Sequence, residues 1–395
     1  MPLVAASKHR VNRATSYQLI YSFRPQKNGI YPEAGLLDVN GTLYGTTASG
    51  GLSGKGTVYG IGTSGVPKVL YRFRGGSDGS EPQSALLNVN GTLYGTTAYG
   101  GSSNAGTIYS ISTSGTESVV YSFKGGADGA NPVAGLVDVN GTLYGTTSAG
   151  GGSGCYGGAG CGTVFSVGAS GQESVLHRFT GGADGAVPVA ELIDVNGVLY
   201  GTTAQGGKCG GKSGDCGTVY TITPAGTEKV LYAFRGGTDG EAPTAGLIDM
   251  NGTLYGTTYQ GGQSGSDCGG SCGTVYQISP AGAEKVIYRF ADGTDGAAPQ
   301  AELIAVNGVL YGTTTGGGDV GSCFQFHGNC GTVFSVTTAG VETVLYRFVG
   351  GTDGWSPLAP LTNLNGTLYG TTVHGGVRDV CCHTYGYGTI FSVSP

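Results

Sequence analysis

The ten cysteines of this 395-residue chain come in twos: Cys155 with Cys161, Cys209 with Cys216, Cys268 with Cys272, Cys323 with Cys330, and the adjacent Cys381 and Cys382. An even number of cysteines, paired within short segments, is the pattern of disulfides, which persist in oxidising spaces such as the periplasm or the extracellular medium. Zinc is the competing chemistry, because Cys323, His327 and Cys330 form a C-x3-H-x2-C spacing and His374 and His383 follow in the next such segment. The pairs at Cys155, Cys209 and Cys268 have no histidine beside them. One role for all pairs is simpler, so the expectation is disulfides, with no metal site and no cofactor. Cys381 and Cys382 stand apart. Neighbouring Cα atoms are about 3.8 Å apart, closer than a relaxed disulfide spans, so a vicinal bridge would strain its peptide. Strain of that kind gathers at functional surfaces; two free thiols, or bonds to other partners, are the alternatives.

The same segments hold side chains suited to recognition. Tyr99, Tyr156, Tyr259 with Gln260, Phe324 and Phe326 with His327, and His374 with the run RDVCCHTYGY at 378–387, which contains His383, Tyr385 and Tyr387, supply rings and amides. Aromatic faces cover the C–H surfaces of sugars and amides bond their hydroxyls. With Trp355, the only tryptophan, these residues form the expected ligand-binding set. Histidine and tyrosine could also be the acid and base of a polysaccharide lyase or hydrolase. The chain, however, has no Ser/His/Asp order, no paired-carboxylate motif and no phosphate-binding loop, so no catalytic residue is assigned. A recurring GGxDGxxPxA places Asp78, Asp128, Asp184, Asp239, Asp295 and Asp353 at equivalent points, with Asn28 standing in for a seventh. A ring of carboxylates could bind Ca2+. Asp-Gly ahead of Pro equally makes an Asx-turn, which asparagine serves as well as aspartate, and the turn is the reading adopted.

What must position these residues is a repeat. Asn40, Asn90, Asn140, Asn196, Asn251, Asn307 and Asn365 each precede glycine at successive spacings of 50, 50, 56, 55, 56 and 58 residues. Each unit carries four short apolar runs, in the second unit SALLNV (84–89), TLYGTT (92–97), GTIYSIS (106–112) and SVVYSF (118–123). They are rich in β-branched and aromatic residues and bounded by Gly, Asn, Ser or Pro, so each reads as a strand. The first two are joined by Asn-Gly alone, the turn chemistry of a tight type I′ hairpin. Five of the seven Asn-Gly pairs continue with threonine and formally match a glycosylation acceptor, but Asn196 and Asn307 are followed by Gly-Val. The turn explains all seven.

Four-stranded units of this length make propeller blades. The chain opens with one unpaired strand, YQLIYSF (17–23), after a flexible basic tail over 1–15, and ends with another, GTIFSVS (388–394). The predicted fold is therefore an all-β, seven-bladed β-propeller spanning 16–395, four antiparallel strands per blade, in which strand 17–23 completes the last blade beside 388–394. Closure removes two exposed sheet edges. Outer strands such as VLYRF (69–73) are apolar on both faces because a blade is covered on both sides.

Composition agrees. With 81 glycines and 11% charged residues the chain cannot be rich in helix. The net charge of −6 has no basic stripe, so nucleic acid is not an expected partner. No apolar run approaches the roughly 20 residues that span a bilayer, so membrane insertion is not expected.

The stretches VNGTLYGTTxxGG, GTVFSI and VLYRFxGGxDG resemble the tandem GloVer repeats of bacterial exported proteins, the choice-of-anchor repeat proteins. The resemblance covers residues 16–395 and implies export and a propeller-like array; it brings no catalytic residues. Those proteins carry cell-surface anchors, and no such segment follows the final strand here, so release into the medium is the expectation. In an up-and-down blade the variable second-to-third-strand loops and the blade-to-blade crossings share one face, and variable loops on a rigid scaffold are where binding resides. The expected function is a secreted or cell-surface binding module for polysaccharide or cell-surface glycan. The alternatives are a filament subunit, should the N-terminal strand complete a neighbour's last blade, and the lyase or hydrolase above.

Overall fold

The computed structural model describes residues 16–62, 65–152, 154–207, 209, 216–262, 271–318, 330–377 and 385–395. They form seven four-stranded antiparallel sheets, the blades of a seven-bladed β-propeller. Blade 2 is representative, with strands Leu87–Val89, Thr92–Thr97, Thr107–Ser112 and Glu117–Ser122 hydrogen-bonded in chain order. Each Asn-Gly turn has both residues in the left-handed region, Asn at φ 51–58° and Gly at φ 79–87°, as a type I′ hairpin requires. The innermost strand is shorter than its sequence suggests. Thr46 Oγ1 of blade 1 donates to the Ser84 carbonyl at 3.2 Å, so the backbone ahead of Leu87 is tied to the neighbouring blade.

The N-terminal strand Ser16–Ser22 pairs antiparallel with Thr389–Ser394, from Ser16 opposite Ser394 to Ser22 opposite Thr389, and so fills the seventh blade. The ring is closed within one chain.

Three contacts recur at the blades and explain the repeat residue by residue. First, the phenylalanine ending each outer strand packs edge-on against the third-strand aromatic of the next blade, as in Phe73–Tyr109, Phe234–Tyr276 and, across the closure, Phe23–Tyr59 and Phe348–Phe391, with centroids 5.0–5.2 Å apart. That third-strand ring lies on the glycine of LYGTT: a Cβ at Gly256 would stand 2.6 Å from the Tyr276 hydroxyl. Second, the threonines of GTT and GTV pair through their hydroxyls at 2.7–2.9 Å, from Thr47–Thr57 to Thr372–Thr389, inside every blade.

Third, the residue before each crossing proline is left-handed. Tyr31, Glu81, Asn131, Val187, Ala242, Ala298 and Ser356 have φ of 54–60°. Each N–H donates at 2.8–3.1 Å to a carbonyl of the preceding blade, just ahead of its third strand, as Glu81 does to Lys55 and Tyr31 to Tyr387. The following proline then seats on a glycine, Pro82 lying 2.5 Å from where a Gly56 Cβ would be.

Because Phe234 and Tyr276 are both fully buried, Phe234→Ala removes one ring of an inter-blade pair and leaves a cavity. The expected loss is about 3–5 kcal/mol, read from the midpoint of urea denaturation.

Candidate functional site

The loops after the second strands and the blade-to-blade crossings do share one face. An antiparallel bridge joins them in every blade: Ile30 with Ser49, Ser80 with Tyr99, Ala130 with Ala149, Ala186 with Gln205, Glu241 with Gln260, Ala297 with Gly316 and Trp355 with His374. Two of these pairs, Ala130 with Ala149 and Ala297 with Gly316, are small, and four others carry a single aromatic ring or none. Blade 7 places an indole and an imidazole at the same position, the only bridged pair with two rings among the described residues.

There the rings of Trp355 and His374 lie 4.3 Å apart at 31°. Tyr385 stands 6.0 Å from each, and Tyr31, from the crossing into blade 1, meets His374 edge-on at 5.5 Å. Backbone holds the group together. Trp355 and His374 exchange N–H···O=C bonds of 3.1 and 3.3 Å, and the Gly375 N–H donates to the Tyr385 carbonyl at 2.7 Å. Gly375 is left-handed at φ 87°, and a Cβ there would sit 2.4 Å from the Gly354 Cα, so only glycine lets the two segments approach. Tyr385 is 47% exposed while Trp355 and His374 are half-buried. Burial pushes the imidazole of His374 down to about 4. Its Nδ1 is enclosed without a hydrogen-bond partner, so at neutral pH the cluster is an uncharged aromatic surface. The other expected residues are not drawn in. Tyr99, 41% exposed, is on blade 2, and Tyr259 and Gln260 are on blade 5.

Tyr387 is a correction. It is 1% exposed and packs in the core with Phe23, Ile30 and Ile390. It occupies, ahead of its third strand, the place that Cys161, Cys216, Cys272 and Cys330 hold in blades 3 to 6, all buried. The tyrosine fills in blade 7 the space that a disulfide fills elsewhere. Cys155–Cys161 and Cys209–Cys216 are bonded, with Cα atoms 5.0 and 5.2 Å apart, and Cys272 and Cys330 are disulfide-bonded as well. Cys268, Cys323, Cys381, Cys382, Phe324, Phe326, His327 and His383 lie outside the described residues, as does the tail over 1–15.

The aspartate ring serves the crossings. Asp78, Asp128, Asp239, Asp295 and Asp353 accept from the outer-strand hydroxyls of Tyr71, Tyr121, Tyr232, Tyr288 and Tyr346 at 2.5–2.8 Å. The second oxygen of each takes a backbone N–H at 2.6–2.8 Å. Asn28 takes the Tyr21 hydroxyl at 2.6 Å in the same way. The backbone N–H that each aspartate takes lies four residues behind it, as Arg74 does for Asp78, so these side chains tie the crossing back to the outer strand, where an Asx-turn would take an N–H two residues ahead.

A feature that sequence reading missed lies on the axis. The residues ahead of the innermost strands of all seven blades line a cavity of about 120 Å³. At one level of this wall stand Gly35, Ala85, Gly135, Glu191, Gly246, Glu302 and Pro360. The two glutamates rest over glycines: Glu191 Oε2 would be 2.1 Å from a Cβ at Gly135, and Glu302 Oε2 2.5 Å from one at Gly246. Burial pushes Glu191 up to about 7, and burial together with the charge of Glu191 pushes Glu302 up to about 8. Glu33, two residues ahead of Gly35 in the same wall, is raised to about 7 by burial. The available signal was a charge appearing twice at a position that is small or apolar in the other five repeats.

A closed seven-bladed propeller with an aromatic cluster among the described residues of its loop face and a narrow acidic axis is the class of molecule these features define. Residues 9–159, 154–326 and 210–395 match the Gloeobacter/Verrucomicrobia repeat, and the chain belongs to that family. No curated protein sequence matches it. Among solved structures it is similar to a protein from Bacteroides uniformis ATCC 8492 assigned as a 6-phosphogluconolactonase, 15% identical over 83% of this chain and 88% of that one, TM-score 0.53. It is also similar to puromycin hydrolase, 10% identical over 90% of this chain and 53% of that one, TM-score 0.50, and to a luciferin-regenerating enzyme, 13% identical over 96% and 95%, TM-score 0.48. At these identities the likeness is one of fold.

Desolvation of His374 makes a direct prediction. Its imidazole stays neutral from pH 8 down to pH 5, so its ring-proton NMR shifts are flat over that range; an inflection between pH 6 and 7 would show a solvated histidine instead.

Proposed function

We propose that this protein is an exported binding module that holds a neutral or weakly charged polysaccharide on its loop face, with the blade-7 cluster as the contact. The observation that carries the reading is the cluster itself: Trp355, His374 and Tyr385 share one uncharged aromatic surface on bridged backbone, with Tyr31 beside it. Aromatic faces of this kind stack on the C–H faces of pyranose rings, and an uncharged imidazole with Nδ1 enclosed can offer a hydroxyl one donor or one acceptor through Nε2. Rings held by backbone lose little freedom on binding, which favours affinity. Export is supported by the disulfides, which last in oxidising compartments. Among the described residues no helix is long and apolar enough to cross a membrane.

The binding reading has more support than the other two. The N-terminal strand sits in its own chain's seventh blade, and among the described residues the enclosed Nδ1 of His374 has no carboxylate to orient it as a catalytic base.

The test is retention of the protein on a panel of insoluble and immobilised polysaccharides, with the soluble phase assayed for released fragments. Trp355→Ala and Tyr385→Ala, each checked for an unchanged melting temperature, are expected to weaken retention on the order of tenfold to a hundredfold. Retention on no member of the panel, or retention indifferent to both changes, would rule out the reading; released fragments would make the protein an enzyme.

A further inference from the structure

The face opposite the loops carries the Asn-Gly turns and the turns between third and outer strands. On this face, between blades 2 and 3, lies a cavity of about 300 Å³. Tyr94 and Val120 of blade 2 line it on one side and Asp138, Leu143 and Val167 of blade 3 on the other, together with the turn at Gly168 and Ala169. Leu143 is 7% exposed, while its counterparts in the other six blades, from Leu43 to Leu368, are at 0–1%. A Cβ at Gly171, the turn glycine that rests on the outer strand of blade 2, would stand 3.1 Å from the Val120 carbonyl oxygen. The same approach measures 2.4–2.9 Å at Gly115, Gly226, Gly282 and Gly340. The seam between blades 2 and 3 is therefore wider than its neighbours.

Comparison of the repeats shows how the space arises. Val120 stands where every other outer strand has leucine or isoleucine, as at Leu70, Leu176 and Ile287, and Ala169 stands where the other blades have threonine or proline. Gly168 stands where blades 2, 4, 5 and 6 have serine or threonine. Those hydroxyls accept the backbone N–H four residues on at 3.0–3.2 Å, as Ser112 does from Thr116, and Gly168 gives up that bond. Three truncations thus meet at one place. Asp138 departs there as well. The equivalent side-chain oxygen of Asp38, Asn88, Asp194, Asp249 and Asn363 accepts the N–H of the hairpin glycine at 2.9–3.0 Å. Asp138 Oδ1 is instead enclosed without a hydrogen-bond partner, on a half-buried side chain that lines the cavity. Among the described residues no cationic side chain pairs with it.

We infer that this cavity is a binding site for a small organic cation, an ammonium group on an apolar body: the ammonium meets the Asp138 carboxylate, and the body fills the space that larger side chains occupy at other seams. A carboxylate with one oxygen cut off from water and donors is costly to leave unpaired, and a charged N–H donor approaching from the cavity offsets that cost most strongly. The ring of Tyr94 adds attraction for a cation, while Val120, Leu143 and Val167 cover hydrocarbon. Size sets the class. An apolar cavity of roughly 150 Å³ already accepts benzene, so about 300 Å³ holds a single arylalkyl- or alkylammonium. A bound Ca2+ is not the occupant, since it takes about six to eight oxygen ligands and one carboxylate among apolar side chains does not supply them. The site lies on the opposite face from the blade-7 cluster and does not depend on the polysaccharide reading.

The experiment is titration of the full chain with phenethylammonium chloride, followed by methyl NMR, beside the neutral isostere 2-phenylethanol and the anion 3-phenylpropionate. Saturable shifts at the methyls of Val120, Leu143 and Val167 are expected with the ammonium, binding about tenfold weaker with the alcohol, and none with the anion. Two variants use residues that other blades already carry at these points, and each is checked for an unchanged melting temperature. Asp138→Asn should weaken the ammonium about tenfold, to the level of the alcohol. Val120→Leu/Gly168→Ser refills the cavity and should abolish binding of both. No saturable shift, binding that survives the refilled cavity, or an alcohol that binds as tightly as the ammonium would overturn the proposal. Should either variant fail to fold, the wild type decides by itself, through the order of the three probes and the methyls that move.

Discussion

Each crossing is tied to the preceding blade through the N–H of one left-handed residue, and the rest of the molecule is arranged around that bond. At Tyr31, Glu81, Asn131, Val187, Ala242, Ala298 and Ser356 the N–H crosses to the preceding blade, and in all seven repeats the carbonyl is bonded within the residue's own blade. For a β-branched residue such as Val187 a φ of 58° is a conformation the chain adopts only under constraint. Here the constraint is an otherwise buried N–H that has one acceptor within reach. Because the same residue sets the path of the crossing, it also fixes the aspartate turn before it and the axial wall after it. The bridge between Trp355 and His374 is anchored by the same crossing at Ser356.

Polarity in this protein is buried in pairs. The threonine hydroxyls that pair inside each blade let a chain with few charges satisfy its interior without ion pairs, since a hydroxyl both donates and accepts. Carboxylates are the exception, and they gather where blades meet: on the axis at Glu191 and Glu302 and at the rim, where Glu342 lies beside the crossing Asp295. Both sets are partly enclosed and lack a bonded cation, which is why both are raised. The loop face, by contrast, is where repeats are free to differ. Blades 3 to 6 secure the start of the third strand with a buried cysteine, and blade 7 does so with Tyr387. In that blade the neighbouring Tyr385 is half-exposed beside Trp355 and His374.

The sequence by itself determined the number of blades, the strands within them, the type I′ turns and the completion of the last blade by the first strand, because each rests on short-range signals: β-branched and aromatic runs bounded by turn residues, Asn-Gly chemistry and a repeat that can be counted. It also determined which face would vary, and that Asp78 and its equivalents are residues of the crossings, since Asn28 occupies one of their places. Only the tertiary structure decided which of those residues meet. Tyr31 and Tyr385 are more than 350 residues apart yet share His374, because ring closure sets blade 7 beside blade 1. Tyr387 reads as surface from its run of polar neighbours, but it occupies the core position that cysteines hold elsewhere. Glu191, Glu302 and Glu342 look like ordinary solvated charges along the chain; their burial and their carboxylate neighbours come from other blades, and the distance across a blade interface is written in no local pattern.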